Sequence, residues 1–215
     1  MITKEQKNRL LFGIIFISVI WFATYYSSIS CSILFAIIGF ICFYEMWLLR
    51  RNKTKFIALS YIVIPFTLVQ ILIWQKLSVK IYNDINWIPN PILYLFVLTW
   101  TFDTFAYVTG VKFGKTKIMP SISPKKSWEG LIGGIIFTLI VAFLIYRDDL
   151  TTVLFFSIFV PFSATLGDFI ESYYKRQAQV KDSSNLIPGH GGMLDRMDSF
   201  LISISILSLI IITTA

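Results

Sequence analysis

Long apolar stretches alternate with short polar segments along most of this chain. A helix that crosses a bilayer needs about 20 consecutive, largely apolar residues, and seven stretches approach that length. They occupy residues 10–26, 31–49, 56–74, 91–111, 130–146, 151–171 and 199–214. The pattern therefore predicts an all-α fold, a polytopic transmembrane helical bundle with about seven spans.

The composition agrees with this prediction. Hydrophobic residues make up 56% of the 215 positions and charged residues only 14%, whereas soluble domains have about 45–50% apolar and about 25% charged residues. The net charge of +7 would suggest nucleic acid for a soluble protein, but basic residues of membrane proteins collect in cytoplasmic loops. We therefore expect no nucleic-acid partner.

The distribution of lysine and arginine predicts the orientation of the bundle. Sixteen of the 19 basic residues lie before the first span or in the loops after spans two, four and six, and three lie on the opposite side. This asymmetry follows the positive-inside rule. It predicts a multi-pass protein of the cell (inner) membrane whose amino terminus is cytoplasmic.

Two of the predicted cytoplasmic loops, residues 112–129 and 172–198, are long and polar. Long loops between helices usually serve a function. We therefore divide the chain into amino-terminal transmembrane helices (1–90, about three spans) and a region 91–215 whose cytoplasmic loops carry the chemistry.

Carboxylates gather at the ends of these apolar stretches. Asp103 lies within the fourth span, Asp168 and Glu171 near the end of the sixth, and Asp195 and Asp198 where the seventh begins. Residues three apart share a helix face, so the two pairs predict a divalent-cation site at one side of the membrane. The alternative is that these acids form ion pairs that hold the bundle together, and for Asp103 alone that alternative stays open.

The ligand types favour Mg²⁺ over Zn²⁺. The chain has one histidine, His190, and its two cysteines, Cys31 and Cys42, lie in predicted spans. These are too few soft ligands for zinc, whereas carboxylate oxygens suit Mg²⁺. His190 is as well suited to structural hydrogen bonding as to proton transfer.

Glycine and basic residues accompany the acids. The run 188–192 contains three glycines, which allow close backbone approach and positive φ. It predicts a tight turn beside a phosphate or the acids, with an ordinary inter-helix turn as the alternative. Lys175, Arg176 and Lys181 stand beside the acids, an arrangement that suits a nucleoside triphosphate.

The loop 112–129 contains the run Ser123-Pro124-Lys125-Lys126. Serine as N-cap with proline in the first turn predicts a helix start, and its two lysines would make it an anion site. The alternative is a basic loop that contacts lipid headgroups. Together these features indicate a membrane enzyme that handles phosphates.

The segment from Ser172 to Asp198 resembles the signature of the phosphatidate cytidylyltransferases. Twelve positions fall in register: Ser172, Lys175, Arg176, Lys181, Asp182, Pro188, His190, Gly191, Gly192, Asp195, Arg196 and Asp198. Tyr174 departs from the aliphatic residue usual there. The resemblance extends over about residues 90–214, with further departures at Phe105 and Lys112.

This resemblance implies transfer of the cytidylyl group of CTP to phosphatidic acid from the inner leaflet, giving CDP-diacylglycerol and pyrophosphate. The implied catalytic residues are Asp168, Asp195, Asp198, Lys175 and Lys181. The implied substrate-binding residues are Ser172, Arg176, Asp182, His190, Gly191, Gly192, Arg196, Lys125 and Lys126. It further implies Mg²⁺ on Asp168 and Asp195 with Asp198 in support, leaves a second cation open, and implies a homodimer.

Three other functions compete with this one. A CTP-dependent polyprenol or phytol kinase would share the nucleotide and metal but phosphorylate a hydroxyl. A CDP-alcohol phosphotransferase would need an Asp-Gly-x-x-Ala-Arg motif, which the sequence lacks. A secondary transporter with an intramembrane acid relay finds its support in Asp103 alone.

Overall fold

The computed structural model describes residues 4–74, 91–147, 149–187 and 191–214. These residues form seven α-helices: α1 (Lys4–Tyr26), α2 (Ser28–Leu49), α3 (Phe56–Trp74), α4 (Pro91–Phe113), α5 (Trp128–Tyr146), α6 (Leu150–Gln177) and α7 (Leu194–Thr214). A small antiparallel hairpin, β1 (Lys117–Met119) and β2 (Ser123–Ser127), joins α4 to α5. Each of the seven predicted apolar stretches lies within one helix.

Several of these helices are suited to a bilayer. Five are long and apolar enough to cross it: Ser28–Leu49, Phe56–Trp74, Pro91–Phe113, Trp128–Ile145 and Leu150–Gln177. Large apolar side chains such as Phe22, Phe40 and Phe56 are exposed on the bundle, as expected where lipid replaces water as the solvent. The protein is therefore a multi-pass membrane protein.

The predicted helix start at Ser123 is wrong. Ser123–Ser127 form strand β2, and α5 begins only after Ser127, whose hydroxyl accepts a hydrogen bond from Gly130 N at 3.2 Å. A residue before proline prefers an extended backbone, which is compatible with a strand as well as with an N-cap. Pairing with β1 selects the strand, so Lys125 and Lys126 stand on a hairpin rather than at a helix amino terminus.

Small residues bring α4 and α5 together, and this is the most extensive helix contact in the described bundle. A β-carbon at Gly130 would lie 2.7 Å from the carbonyl oxygen of Ala106, and one at Gly134 would lie 2.6 Å from the ring of Phe102. Glycines spaced in this way allow helix backbones to approach closely. Gly130 and Gly134 therefore serve the packing of α5 on α4.

Stacked aromatic rings join the amino-terminal helices to the others. Phe96 of α4 stacks on Phe200 of α7 with ring centroids 4.0 Å apart, and Phe35 of α2 stacks on the same ring at 5.9 Å. All three side chains are buried. This core holds α2, α4 and α7 together below the ends that carry the polar residues.

Candidate active site

Three carboxylates converge between α6 and α7. Asp168 and Glu171 lie one turn apart on α6, Asp198 lies on the first turns of α7, and one oxygen of each falls within 4.8 Å of the others. Glu171 is fully buried, and the Asp168 side chain is 24% exposed. The structure thus brings together three of the four acids of the two predicted pairs, Asp168, Glu171 and Asp198.

Two lysines face this acidic cluster. The ammonium of Lys126, on β2, lies 2.5 Å from Asp168 Oδ2. Lys175 forms an ion pair with Glu171 and also lies 2.7 Å from Asp195 Oδ1. Some of the acids therefore form ion pairs, as expected if they hold the bundle together rather than bind a metal. Asp198 has no ion pair within the described part of the chain.

The donor set of the cluster fits Mg²⁺. All three residues offer carboxylate oxygens, the ligand type that this ion prefers. Glu171 is fully buried and pairs with Lys175 through Oε2, while its Oε1 receives no hydrogen bond from the described residues. Asp168, Glu171 and Asp198 could therefore hold a divalent cation between the two helices.

Asp195 is used differently. Its Oδ1 accepts a hydrogen bond from Lys175 Nζ at 2.7 Å. Its Oδ2 accepts three, each at 2.8 Å, from Ser183 N, Ser183 Oγ and Gly192 N. Both oxygens are thus occupied by donors of the α6–α7 loop and of α6. Asp195 lies outside the group of three carboxylates, and its role as a metal ligand stays a prediction.

One cavity of about 680 Å³ unites the two loops predicted to be functional. Basic and acidic residues from α4, the hairpin, α6 and α7 line it. They include Asp103, Lys117, Lys125, Lys126, Asp168, Asp195, Arg196 and Asp198. Asp103 also accepts a hydrogen bond from Ser199 Oγ at 3.3 Å. The intramembrane acid singled out in the sequence therefore belongs to the same site.

A second cavity, of about 400 Å³, reaches the same acids from another direction. Apolar residues of α1 (Phe12, Phe16 and Ile17) and Trp100 of α4 line one part of it, and Asp103, Asp195, Arg196 and Asp198 line the other. The acidic end of this cavity is thus shared with the first one. None of the hairpin lysines lines this second cavity.

The remaining predicted residues that the structure describes do not line the large cavity. Ser172 donates a hydrogen bond to Asp168 Oδ1 at 3.0 Å, and Arg176 Nη1 donates one to the carbonyl oxygen of Val180 at 3.1 Å. Lys181 and Asp182 are exposed on the loop. His190, like Pro188 before it, lies outside the described residues.

Gly191 and Gly192, the described glycines of the run 188–192, have the positive φ and the close approach that the sequence predicted. Gly191 has φ of +85°, which side chains with a β-carbon rarely adopt. A β-carbon at Gly192 would lie 2.7 and 2.8 Å from the two carboxylate oxygens of Glu45. Both glycines are therefore required, one by its φ and the other by close packing.

The sequence analysis missed two residues of the amino-terminal helices. Glu45 of α2 is buried and contacts the α6–α7 loop, and the hydroxyl of Tyr61 on α3 donates to the carbonyl oxygen of Gly167 at 3.1 Å. A signal for Glu45 existed, because a lone acid within an apolar helix marks a site with partners.

Known proteins resemble this chain along the segment that forms the site. The sequence model of the cytidylyltransferase family matches residues 76–214. The phosphatidate cytidylyltransferase of Haemophilus influenzae is 44% identical over 126 residues, which cover 54% of this chain and 44% of that protein. The enzyme of that name from Thermotoga maritima is 46% identical over 145 residues, covering 62% and 53%.

The chain therefore spans about half the length of these two relatives. A third relative matches nearly end to end: the phosphatidate cytidylyltransferase of Rickettsia bellii is 32% identical over 219 residues, covering 95% of this chain and 91% of that protein. The family match includes every residue of the acidic cluster and both lysines that face it. On these grounds the chain belongs to the cytidylyltransferase family.

Proposed function

We propose that this protein is a phosphatidate cytidylyltransferase, which transfers the cytidylyl group of CTP to the phosphate of phosphatidic acid and releases pyrophosphate. One observation carries the proposal: a single cavity is lined both by carboxylates of α6 and α7 that could bind a metal ion and by lysines of the hairpin. The names of the three relatives support the same activity.

The large cavity is the proposed nucleotide site. Lys117, Lys125, Lys126 and Arg196 line it and would neutralise the oxygens of a triphosphate. Lys126 is the central cation, because its ammonium already lies beside Asp168. Lysine on a flexible stem suits a phosphate that changes its position during the reaction.

Asp168, Glu171 and Asp198 are the proposed ligands of Mg²⁺, and whether a second cation binds is left to experiment. Bound there, the ion would supply positive charge beside the phosphate oxygens. In this proposal Asp195 orients Lys175 and the α6–α7 loop, because its oxygens are occupied by four hydrogen bonds.

The smaller cavity is the proposed route of the lipid. Phe12, Phe16 and Trp100 offer apolar contacts for the glycerol and the first acyl carbons, while Arg196 lies at the end that the large cavity shares. A phosphatidic acid molecule lying here would bring its phosphate to the carboxylate cluster from the side of the bilayer. The two substrates would then meet at Asp198.

In the proposed reaction an oxygen of the lipid phosphate attacks the α-phosphorus of CTP. The new phosphorus–oxygen bond forms as the bond between the α-phosphorus and its bridging oxygen breaks, and pyrophosphate leaves with that oxygen. A phosphate monoester has its second pKa near 6, so the attacking oxygen needs no general base at neutral pH. Lys126 and Arg196 would stabilise the charge on the phosphate oxygens.

The proposal locates the site on the cytoplasmic side of the inner membrane, where CTP is available. In the seven-span topology with a cytoplasmic amino terminus, sixteen of the 19 basic residues lie on the cytoplasmic side. This charge distribution supports the proposed orientation. A homodimer, as the family resemblance implies, completes the proposal.

The test measures pyrophosphate release by the purified protein in detergent. We expect release to require CTP, phosphatidic acid and Mg²⁺ together, and the lipid product to carry the cytidylyl group. Thin-layer chromatography of the product separates a CDP-lipid from a phosphorylated lipid alcohol. Release of CDP with a newly phosphorylated alcohol would identify a lipid kinase instead, and no turnover with any lipid would reject both enzymes.

A further inference from the structure

Glu45 stands out as a buried carboxylate on an amino-terminal helix. It lies on α2, 2% exposed, among apolar neighbours such as Cys42 and Met46. No lysine or arginine among the described residues forms an ion pair with it. A charge removed from water in this way requires hydrogen-bond donors in compensation.

Three donors bind this carboxylate, and a fourth group, the Ser183 hydroxyl, lies between it and Asp195. Ser184 Oγ donates at 2.6 Å and Met193 N at 3.0 Å to Oε1, while Leu194 N donates at 2.7 Å to Oε2. Ser183 Oγ lies 3.1 Å from Oε2. All four groups belong to the α6–α7 loop or to the first residue of α7. One side chain of α2 therefore contacts both the middle of this loop, at Ser184, and its end, at Met193.

Two of these donors have a special position. The first N–H groups of a helix have no partner within the helix, and their dipoles favour an anion. Met193 and Leu194 carry such groups at the start of α7. Glu45 therefore caps α7 with a carboxylate supplied by a different helix.

Ser183 connects this contact to the acids of the site. Its hydroxyl lies 3.1 Å from Glu45 and 2.8 Å from Asp195, and its backbone N–H donates to Asp195 at 2.8 Å. Asp195 in turn accepts a hydrogen bond from Lys175, the partner of Glu171. A continuous series of polar contacts thus links Glu45 to the carboxylate cluster.

We propose that Glu45 is a positioning residue for the reaction, and that it acts by fixing the α6–α7 loop and the first turn of α7. The inference rests on the proposed function for its kinetic part. It extends the active-site support to α2, outside the segment 76–214 that the family match covers. It also explains the glycine at position 192, since a β-carbon there would press on the Glu45 carboxylate.

The experiment compares Glu45→Gln with the wild-type protein by two measurements in detergent. Glutamine replaces one acceptor oxygen by an NH₂ donor, which would face groups that are themselves donors. We expect amide hydrogen exchange in residues 178–187 to accelerate about tenfold, the effect of losing roughly one hydrogen bond to a charged group. We expect kcat to fall about tenfold or more, with a smaller change in KM for CTP.

Matched variants separate positioning from general stability. Ser32→Ala removes another polar contact of α2, the hydrogen bond to Gln70 Oε1 at 2.6 Å, about 20 Å along the helix from Glu45. It should lower the melting temperature without accelerating exchange in the loop. Glu45→Asp keeps both acceptor oxygens and should retain more turnover than Glu45→Gln. Adding Ser184→Ala to Glu45→Gln should cost little further, because both changes remove the same contact.

Normal loop exchange together with normal turnover in Glu45→Gln would overturn the proposal. So would an exchange increase spread evenly over α2 and α3, since that pattern describes loss of global stability. If the wild-type protein releases no pyrophosphate, the proposed function fails. The exchange data then still decide whether Glu45 holds the loop, because that measurement needs no substrate.

Discussion

Gly167 of α6 lies directly against the carbonyl oxygen of Asp198 on α7. A β-carbon on residue 167 would collide with that oxygen and lie 3.4 Å from Ser199 Cα. The neighbouring residue of the glycine is Asp168, so this contact between two backbones brings the carboxylates of the two helices within reach of one ion.

Gly167→Ala should therefore separate α6 from α7. Overpacking of this kind costs about 1–3 kcal/mol, and we expect a lower melting temperature together with a large loss of pyrophosphate release. Gly110→Ala is the control, because its β-carbon would lie 3.3 Å from a side-chain oxygen, Ser127 Oγ, and should destabilise less. Equal melting curves for wild type and Gly167→Ala would contradict the close contact.

Asp198 and Asp195 should respond differently to substitution. Asp198→Asn removes a proposed ligand, so the Mg²⁺ concentration for half-maximal activity should rise about tenfold or more, the scale of lost metal-site interactions. Asp195→Asn removes the charge that faces Lys175 and replaces one acceptor oxygen by an NH₂ group that faces donors. It should lower kcat with little change in that concentration. Both proteins should remain folded and membrane-inserted. A shift for Asp195→Asn as large as that for Asp198→Asn would make Asp195 a ligand after all.

Lys126 should contribute more to CTP use than other lysines of its loop. Its ammonium lies 2.5 Å from Asp168 Oδ2, whereas Lys115 does not line the large cavity. Lys126→Met should lower kcat/KM for CTP about tenfold or more, equivalent to about 1.4 kcal/mol of transition-state stabilisation. Lys115→Met serves as the control, and the two variants are compared by initial rates at several CTP concentrations. Equal effects would indicate only a general loss of positive charge.

Filling the smaller cavity should affect the lipid and not the nucleotide. Gly13 lines that cavity on α1, while the neighbouring Ile14 is 53% exposed on the outside of the bundle. Gly13→Phe should raise the apparent KM for phosphatidic acid about tenfold, equivalent to about 1.4 kcal/mol of binding. Ile14→Phe should leave it unchanged. A higher KM for CTP in Gly13→Phe would assign this cavity to the nucleotide instead.

Cysteine labelling tests the orientation. The native Cys31 and Cys42 are buried, so a cysteine placed in an exposed loop should dominate the signal of a membrane-impermeant maleimide. Lys181→Cys should react in inside-out vesicles and stay unlabelled in intact spheroplasts, whereas Asp149→Cys should behave in the opposite way. The reverse result would invert the predicted topology and move the proposed site away from cytoplasmic CTP.

Local features of the sequence predicted much of the fold. Each apolar stretch became a helix, because in a bilayer only helices and closed barrels satisfy all backbone hydrogen bonds. The hairpin was not predicted, because the extended backbone of Ser123 before Pro124 is compatible both with a helix N-cap and with a strand. Only pairing with β1 selects the strand.

The chain by itself determined which residue types could meet phosphate and metal, and the family to which the chain belongs. Tertiary structure decided which carboxylates come within 4.8 Å of one another. Asp195 and Asp198 have the same spacing as Asp168 and Glu171, yet Asp195 is held by hydrogen bonds from Ser183 and Gly192. Tertiary structure also brought Glu45 of α2 into hydrogen-bond contact with Leu194 of α7, 149 residues further along the chain. Periodicity reports which residues share a face of one helix, whereas contacts between helices depend on how the whole bundle packs.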